Sequence, residues 1–173
     1  MGLPQDIAEL MAADKTLGST PRWDVKSDSR YASLLHPLSV AGMTVGGFDL
    51  RVKISKQFIA RDATAQLEFS PSGRRSATPL WRIEWKPFTQ HPNGKYPPDF
   101  AFQTLTGSHE HTFDDNFVTD EVRMRSPNLP AARPTSMDPN TLSDFLAFCG
   151  GRFRIVDISR VRIPALGGDL LWT

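Results

Sequence analysis

Gly47-Phe48-Asp49-Leu50-Arg51-Val52-Lys53-Ile54-Ser55 alternates apolar with polar residues along its length after the opening glycine. Successive side chains of a strand point to opposite faces, so Phe48, Leu50, Val52 and Ile54 share one face and Asp49, Arg51, Lys53 and Ser55 the other. One buried and one solvated face is the pattern of an antiparallel strand backed on one side only. The pattern returns at 63–70, where Ala63, Ala65, Leu67 and Phe69 oppose Thr64, Gln66, Glu68 and Ser70. It returns again at 80–86, where Trp81, Ile83 and Trp85 oppose Arg82, Glu84 and Lys86. Between these two, Ser70-Pro71-Ser72-Gly73-Arg74-Arg75-Ser76 has hairpin turn chemistry.

Toward the N-terminus, Pro4 suits the first position of a helix that aligns Ile7, Leu10 and Met11 and stops before Gly18. Residues 19–32 are polar and irregular, with Pro21 and Trp23 as anchors. Residues 33–41 predict an edge strand, because His36-Pro37 interrupts them. Toward the C-terminus, Pro87, Pro92, Asn93-Gly94, Pro97 and Pro98 mark a loop over 87–99. Strands are expected at 100–106, extending over 109–113, and at 119–125, before a linker from Pro127 to Pro134. A second helix follows, capped by Asp138 with Pro139 first, striped by Leu142, Phe145, Leu146 and Cys149, and stopped by Gly150-Gly151. A last strand is expected over 152–163, with Leu170, Leu171 and Trp172 closing the chain. Strands in a run, rather than alternating with helices, indicate an α+β fold. The expectation is one domain over 1–173: a mostly antiparallel sheet of about six strands with an N-terminal and a C-terminal helix.

With 20 basic and 19 acidic residues among 173, the net charge of +1 lacks the excess of a non-specific nucleic-acid binder, although a local basic patch remains open. A single cysteine, Cys149, excludes an intrachain disulfide and suits a reducing compartment. As part of a helix stripe it reads as a core thiol rather than a nucleophile. No apolar run approaches the ~18 residues of a membrane span, and no basic, apolar leader opens the chain. A cytoplasmic protein without a membrane partner is therefore expected.

The chemistry concentrates in Gly107-Ser108-His109-Glu110-His111-Thr112-Phe113-Asp114-Asp115-Asn116. If 109–111 is extended, His109 and His111 point to one side. His91, in His91-Pro92-Asn93-Gly94, joins them if the strands at 80–86 and 100–113 are neighbours. Two catalytic readings follow. In one, His109 and His111, with His91 or Asp114, ligate zinc or another divalent ion. In the other, two histidines cleave RNA without metal, one taking the 2′-hydroxyl proton and one protonating the leaving oxygen, with Lys95 or Arg82 offsetting phosphate charge. His-x-His has no fixed third-ligand spacing, and a solvated strand face carries the same pair. His36, before Pro37, reads as structural. Trp81, Trp85, Phe100 and Phe102 suit a core more than a stacking platform. Arg152, Arg154, Arg160 and Arg162 would share one side of the last strand and, with Arg74 and Arg75, form either an anion-binding surface or a solvated face.

Six short pieces occur in a particular order: an opening helix with a late lysine (Asp6 to Lys15), the alternating strand from Gly47, Arg82 to Trp85, His91-x-Asn93-Gly94, Gly107-x-His109-x-His111, and Asp144-Phe145-Leu146. In this order they resemble an uncharacterised family of small bacterial and prophage proteins found among toxin–antitoxin and phage accessory genes. The resemblance spans about two-thirds of the chain. It implies a mobile-element setting and a shared histidine region, but no reaction. Asp114, Asp115 and Asn116 stand where basic and aromatic residues commonly follow the His-x-His element, which favours a cation there over a polyanion. The expected function is an accessory protein of toxin–antitoxin or counter-defence type, with a histidine-based ribonuclease or phosphodiesterase as its sharp form. The alternatives are a non-catalytic module that binds a protein partner, and a phage structural or assembly protein.

Overall fold

A computed structural model describes residues 6–70, 76–117 and 129–166. In chain order the elements are α1 (Ile7–Ala12), β1 (Lys15–Thr16), β2 (Trp23–Asp24), β3 (Tyr31–Val40), β4 (Met43–Ser55), β5 (Ala63–Phe69) and β6 (Thr78–Trp85). They continue with β7 (His91–Pro92), β8 (Thr104–Leu105), β9 (His109–His111), α2 (Phe113–Asn116), β10 (Arg133–Pro134) and α3 (Leu142–Phe153). An eight-stranded sheet runs β1-β3-β4-β5-β6-β9-β10, with β2 also on β3, and every ladder in it is antiparallel. β7 and β8 make a separate antiparallel pair.

The fold is sheet-rich and antiparallel, and its three alternating strands stand where their patterns put them. Eight strands replace the expected six because very short ones line the rims. β3 is not an edge, since β1 and β2 pair along its outer side, and a register shift after Pro37 accommodates the proline. The expected strand over 100–106 shrinks to β8 behind a 3-10 turn at Pro98–Phe100. The helices are not simply terminal. α1 starts behind Asp6, α2 lies between β9 and β10, and α3 is followed by a further stretch of chain. Pro4 as a helix start, the turn over 71–75, the strand at 119–125 and the closing Leu170, Leu171 and Trp172 lie outside the described residues.

The C-terminal region departs most from its pattern. Thr141, not Asp138, caps α3, its hydroxyl accepting from the Asp144 N–H at 3.1 Å. Asp138 instead accepts from the Ser108 hydroxyl at 2.6 Å. The Pro139 carbonyl accepts from the Trp85 indole at 2.8 Å. α3 does not stop at Gly150-Gly151 but continues to Phe153, where Arg154 turns left-handed at φ 57°. Gly150 is a packing residue: a Cβ there would lie 2.3 Å from Ile158 Cγ2. The expected strand over 152–163 is therefore helix end, a single bridge from Ile155 to Lys15 and a 3-10 turn at Ile158–Arg160. With no strand there, its arginines have no common strand side. Arg152 reaches Glu110, Arg154 pairs with Asp14, and Arg160 pairs with Asp157.

One face of the sheet carries the core. Phe48, Leu50, Val52, Ile54, Ala65, Leu67 and Ile83 pack there with Leu142, Phe145, Leu146, Cys149 and Phe153 of α3. Burying each large apolar side chain stabilises by about 1.5–3 kcal/mol. Trp85 stacks on Phe145 at 5.5 Å and Trp81 meets Phe153 edge-on at 5.8 Å, so these rings serve packing. Phe102 is exposed. Cys149 is buried, and burial pushes its thiol well above the usual range. The opposite face is polar. Across β4, β5, β6 and β9, pairing aligns Lys53, Thr64, Glu84 and His109 in one row and Arg51, Gln66, Arg82 and His111 in the next. Among the described residues no helix is long and apolar enough to cross a membrane.

Candidate metal centre

β9 is three residues long, and its alternation sets the site. His109 and His111 face the polar side, opposite Glu84 and Arg82 of β6. Glu110 faces the other way, where Arg152 holds it with two hydrogen bonds at 2.8 and 3.0 Å and the Trp81 indole adds a third at 3.3 Å. Both histidines are about 1% exposed, so they are not a solvated pair. His91 reaches them from the β7–β8 hairpin. Its ring lies 5.5 Å from that of His109 and 4.6 Å from that of His111. The three histidines chosen from sequence therefore converge, in a cleft of about 590 Å³ that Arg82, Glu84 and Pro130 also line.

Each imidazole donates one N–H to a backbone carbonyl. His109 Nδ1 reaches the Gly107 oxygen at 2.9 Å, His111 Nδ1 the Leu129 oxygen at 2.6 Å, and His91 Nε2 the Pro130 oxygen at 3.1 Å. A carbonyl only accepts, so in the neutral ring the facing nitrogen carries the hydrogen and the other keeps its lone pair. The lone pairs then lie on His91 Nδ1, His109 Nε2 and His111 Nε2. The latter two are buried and have no hydrogen-bond partner. Buried polar atoms without partners are uncommon and costly, so two aimed into one cleft point to a ligand between them. The ligand atoms of the three rings lie within 4.8 Å of one another. Nitrogens sharing a tetrahedral zinc stand about 3.4 Å apart, which leaves the widest pair at most about 1.4 Å to close.

Segment 129–132 supports these rings. The Asn93 amide bonds both the N–H and the carbonyl of Ala132, at 2.9 and 2.7 Å. Asn116 does the same for Ala131, at 3.0 and 2.8 Å. The two side chains act as surrogate strand partners, fixing the chain that presents the Leu129 and Pro130 carbonyls. Carbonyl acceptors behind metal-binding histidines orient the rings and choose the tautomer.

Glu84 is the residue the sequence reading missed as a member of the site. Its carboxylate spans the two buried rings, 3.7 Å from His109 Nε2 and 3.6 Å from His111 Nε2. Burial opposes its charge, but the facing His111 ring, the positive charge that His109 and His111 carry when protonated, and Arg82 bring the carboxyl down to about 2. Burial in turn keeps the His111 ring below its usual value, which favours the neutral, lone-pair form. Asp114 stays outside the group. It is exposed in the first turn of α2, where an acidic side chain complements the helix dipole. Asp115 is held by Arg133 at 2.5 and 2.6 Å. Lys95 is exposed and does not line the cleft, whereas Arg82 does. His36 bonds the Leu17 carbonyl at 2.8 Å, away from the cluster.

No family model, curated protein or solved structure matches this chain. The functional reading therefore rests on the site.

Proposed function

We propose that the protein is a divalent-metal-dependent hydrolase whose ion is held by His91, His109 and His111, with Glu84 as proton acceptor. The observation that carries this reading is the convergence of three imidazoles, each with one ring nitrogen within 4.8 Å of the others, together with the buried Nε2 atoms of His109 and His111 that have no hydrogen-bond partner. Three nitrogen donors beside an accessible cleft fit a catalytic zinc-class site better than a closed structural one. A bound ion there polarises an ester oxygen and acidifies water. Glu84, whose carboxylate lies 3.6–3.7 Å from His109 Nε2 and His111 Nε2, takes the proton of the attacking water. The water oxygen bonds to phosphorus, the ester bond to the leaving oxygen breaks, and Glu84 returns the proton to that oxygen. Water and phosphodiester thus give phosphomonoester and alcohol. Such an activity suits an accessory protein of toxin–antitoxin or counter-defence type.

The metal-free alternative needs one imidazolium beside one neutral ring. Metal analysis of the purified protein and zinc titration after chelation separate the two. We expect about one ion per chain and loss of that ion in His109→Ala and His111→Ala, with circular dichroism reporting the fold. Phosphodiester cleavage undiminished in EDTA, with no bound ion, would hand the site to metal-free acid–base chemistry.

A further inference from the structure

The metal cleft borders a second one. Arg82 and Glu84 line both the histidine cleft and a neighbouring hollow of about 350 Å³, whose other walls are Arg51, Lys53, Thr64 and Gln66. Both sit on the polar face of the sheet, and the register makes them one trough. From His109 on β9 the row runs through Glu84 and Thr64 to Lys53 on β4, three strand spacings or about 14 Å. Three cations line the hollow against one carboxylate, Glu84. Arg51 is committed to Glu68 by two hydrogen bonds, at 2.7 and 2.8 Å. Arg82 bonds Gln66 at 2.8 Å. Lys53 is exposed and has no ion-pair partner among the described residues, so it is the cation on offer at the far end.

Resting on the metal-centre reading, we propose that the trough binds a single-stranded phosphodiester chain, with one linkage at the histidines and a phosphate further along the chain at Lys53. A single small anion would leave most of the trough empty, whereas a chain with a charge at every link meets both ends. Beyond the three imidazoles, no aromatic side chain among the described residues lines either cleft, so the contacts are to backbone rather than to stacked bases, and binding should be sequence-tolerant. The near-neutral net charge is no obstacle, because the positive charge is local.

A fluorescent short oligouridylate, titrated against wild type and Lys53→Gln in zinc and in EDTA, tests this. Lys53 is exposed, so the variant keeps its fold. We expect Lys53→Gln to weaken binding about tenfold in both conditions and to lower the slope of log affinity against log salt by about 0.7. Tighter wild-type binding in zinc than in EDTA reports the metal centre separately. Equal affinity and slope for wild type and Lys53→Gln would overturn the trough while leaving the centre intact. Equal competition by polyglutamate would also overturn it, because charge alone would then be read.

Discussion

His111 donates its Nδ1 hydrogen to the Leu129 carbonyl at 2.6 Å, and Leu129 itself is buried in left-handed backbone at φ 38°. A branched, non-glycine residue seldom adopts that conformation, and holding it costs on the order of 1–3 kcal/mol. The surroundings that hold it are the paired amides of Asn93 and Asn116 on the next residues of the segment. Strain, support and the orientation of a buried imidazole thus meet in four residues.

Asn116→Ala should therefore affect both stability and the site. It removes three hydrogen bonds, leaving the Ala131 N–H and carbonyl and the Thr112 carbonyl without that partner. Unsatisfied buried groups cost about 1–3 kcal/mol each, less whatever water recovers, so a loss of about 2–4 kcal/mol is expected in urea unfolding. Zinc affinity should fall 10- to 100-fold, since the carbonyl that orients His111 is no longer fixed. Unchanged zinc affinity in a destabilised variant would confine Asn116 to a structural role.

Glu84→Gln keeps the shape of the side chain and removes its basicity. Phosphodiester hydrolysis at saturating metal should fall by about 10²–10⁴-fold in kcat, the usual worth of a positioned general base. Metal stoichiometry should stay near one per chain, because the three imidazoles supply the donors. A variant that loses its metal instead makes Glu84 a ligand, and a variant with full kcat removes it from the chemistry.

The alternating strands were legible because β4, β5 and β6 bury one face, and a period of two then writes that face into the sequence. The histidines were legible as types, and their convergence followed from β6 pairing with β9. Glu84 was not singled out, since nothing near it in the chain reveals that β6 meets β9 across the segment between them. Its alternation with Ile83 and Trp85 placed it on the polar face, and that was the available signal. Asn93 and Asn116 look like turn residues in sequence, and only the fold shows their amides pairing with Ala132 and Ala131. Gly150-Gly151 misled for a different reason: a glycine kept for close packing reads the same as one kept to end a helix.

That pair separates cleanly by mutation. Gly151 lies exposed within α3 with open space where a Cβ would go, so Gly151→Ala should raise stability by up to about 1 kcal/mol. Gly150→Ala drives a methyl into Ile158 and should cost about 1–3 kcal/mol. Opposite shifts in urea midpoint at adjacent glycines check the continuous helix. Loss of stability at both would restore a break at the pair.

Lys15 gives the pH dependence. Its side chain is fully buried beside the Phe48 ring, with Nζ donating to the Met11 and Ala13 carbonyls at 2.8 Å each. Burial, then the charge of Arg154, lowers its pKa from 10.5 to about 8, with Asp14 opposing. Between pH 8 and 10.5 the unfolded chain therefore holds a proton that the folded chain has released. Unfolding then takes up protons, so stability contributed by this group rises with pH through the window. A shift from 10.5 to about 8 corresponds to about 3 kcal/mol at full extent. Lys15→Met lacks the titrating group, although it leaves the two carbonyls without their ammonium donor. Other lysines and tyrosines titrate alike in both proteins, so the informative quantity is the difference between wild type and variant. Chemical unfolding at pH 7.5 and pH 10 should show that difference moving toward the wild type by about 2–3 kcal/mol. Lys15→Arg, which keeps its charge throughout, should show no such rise. Parallel stability curves for wild type and Lys15→Met would mean that the buried amine is not destabilised as a cation.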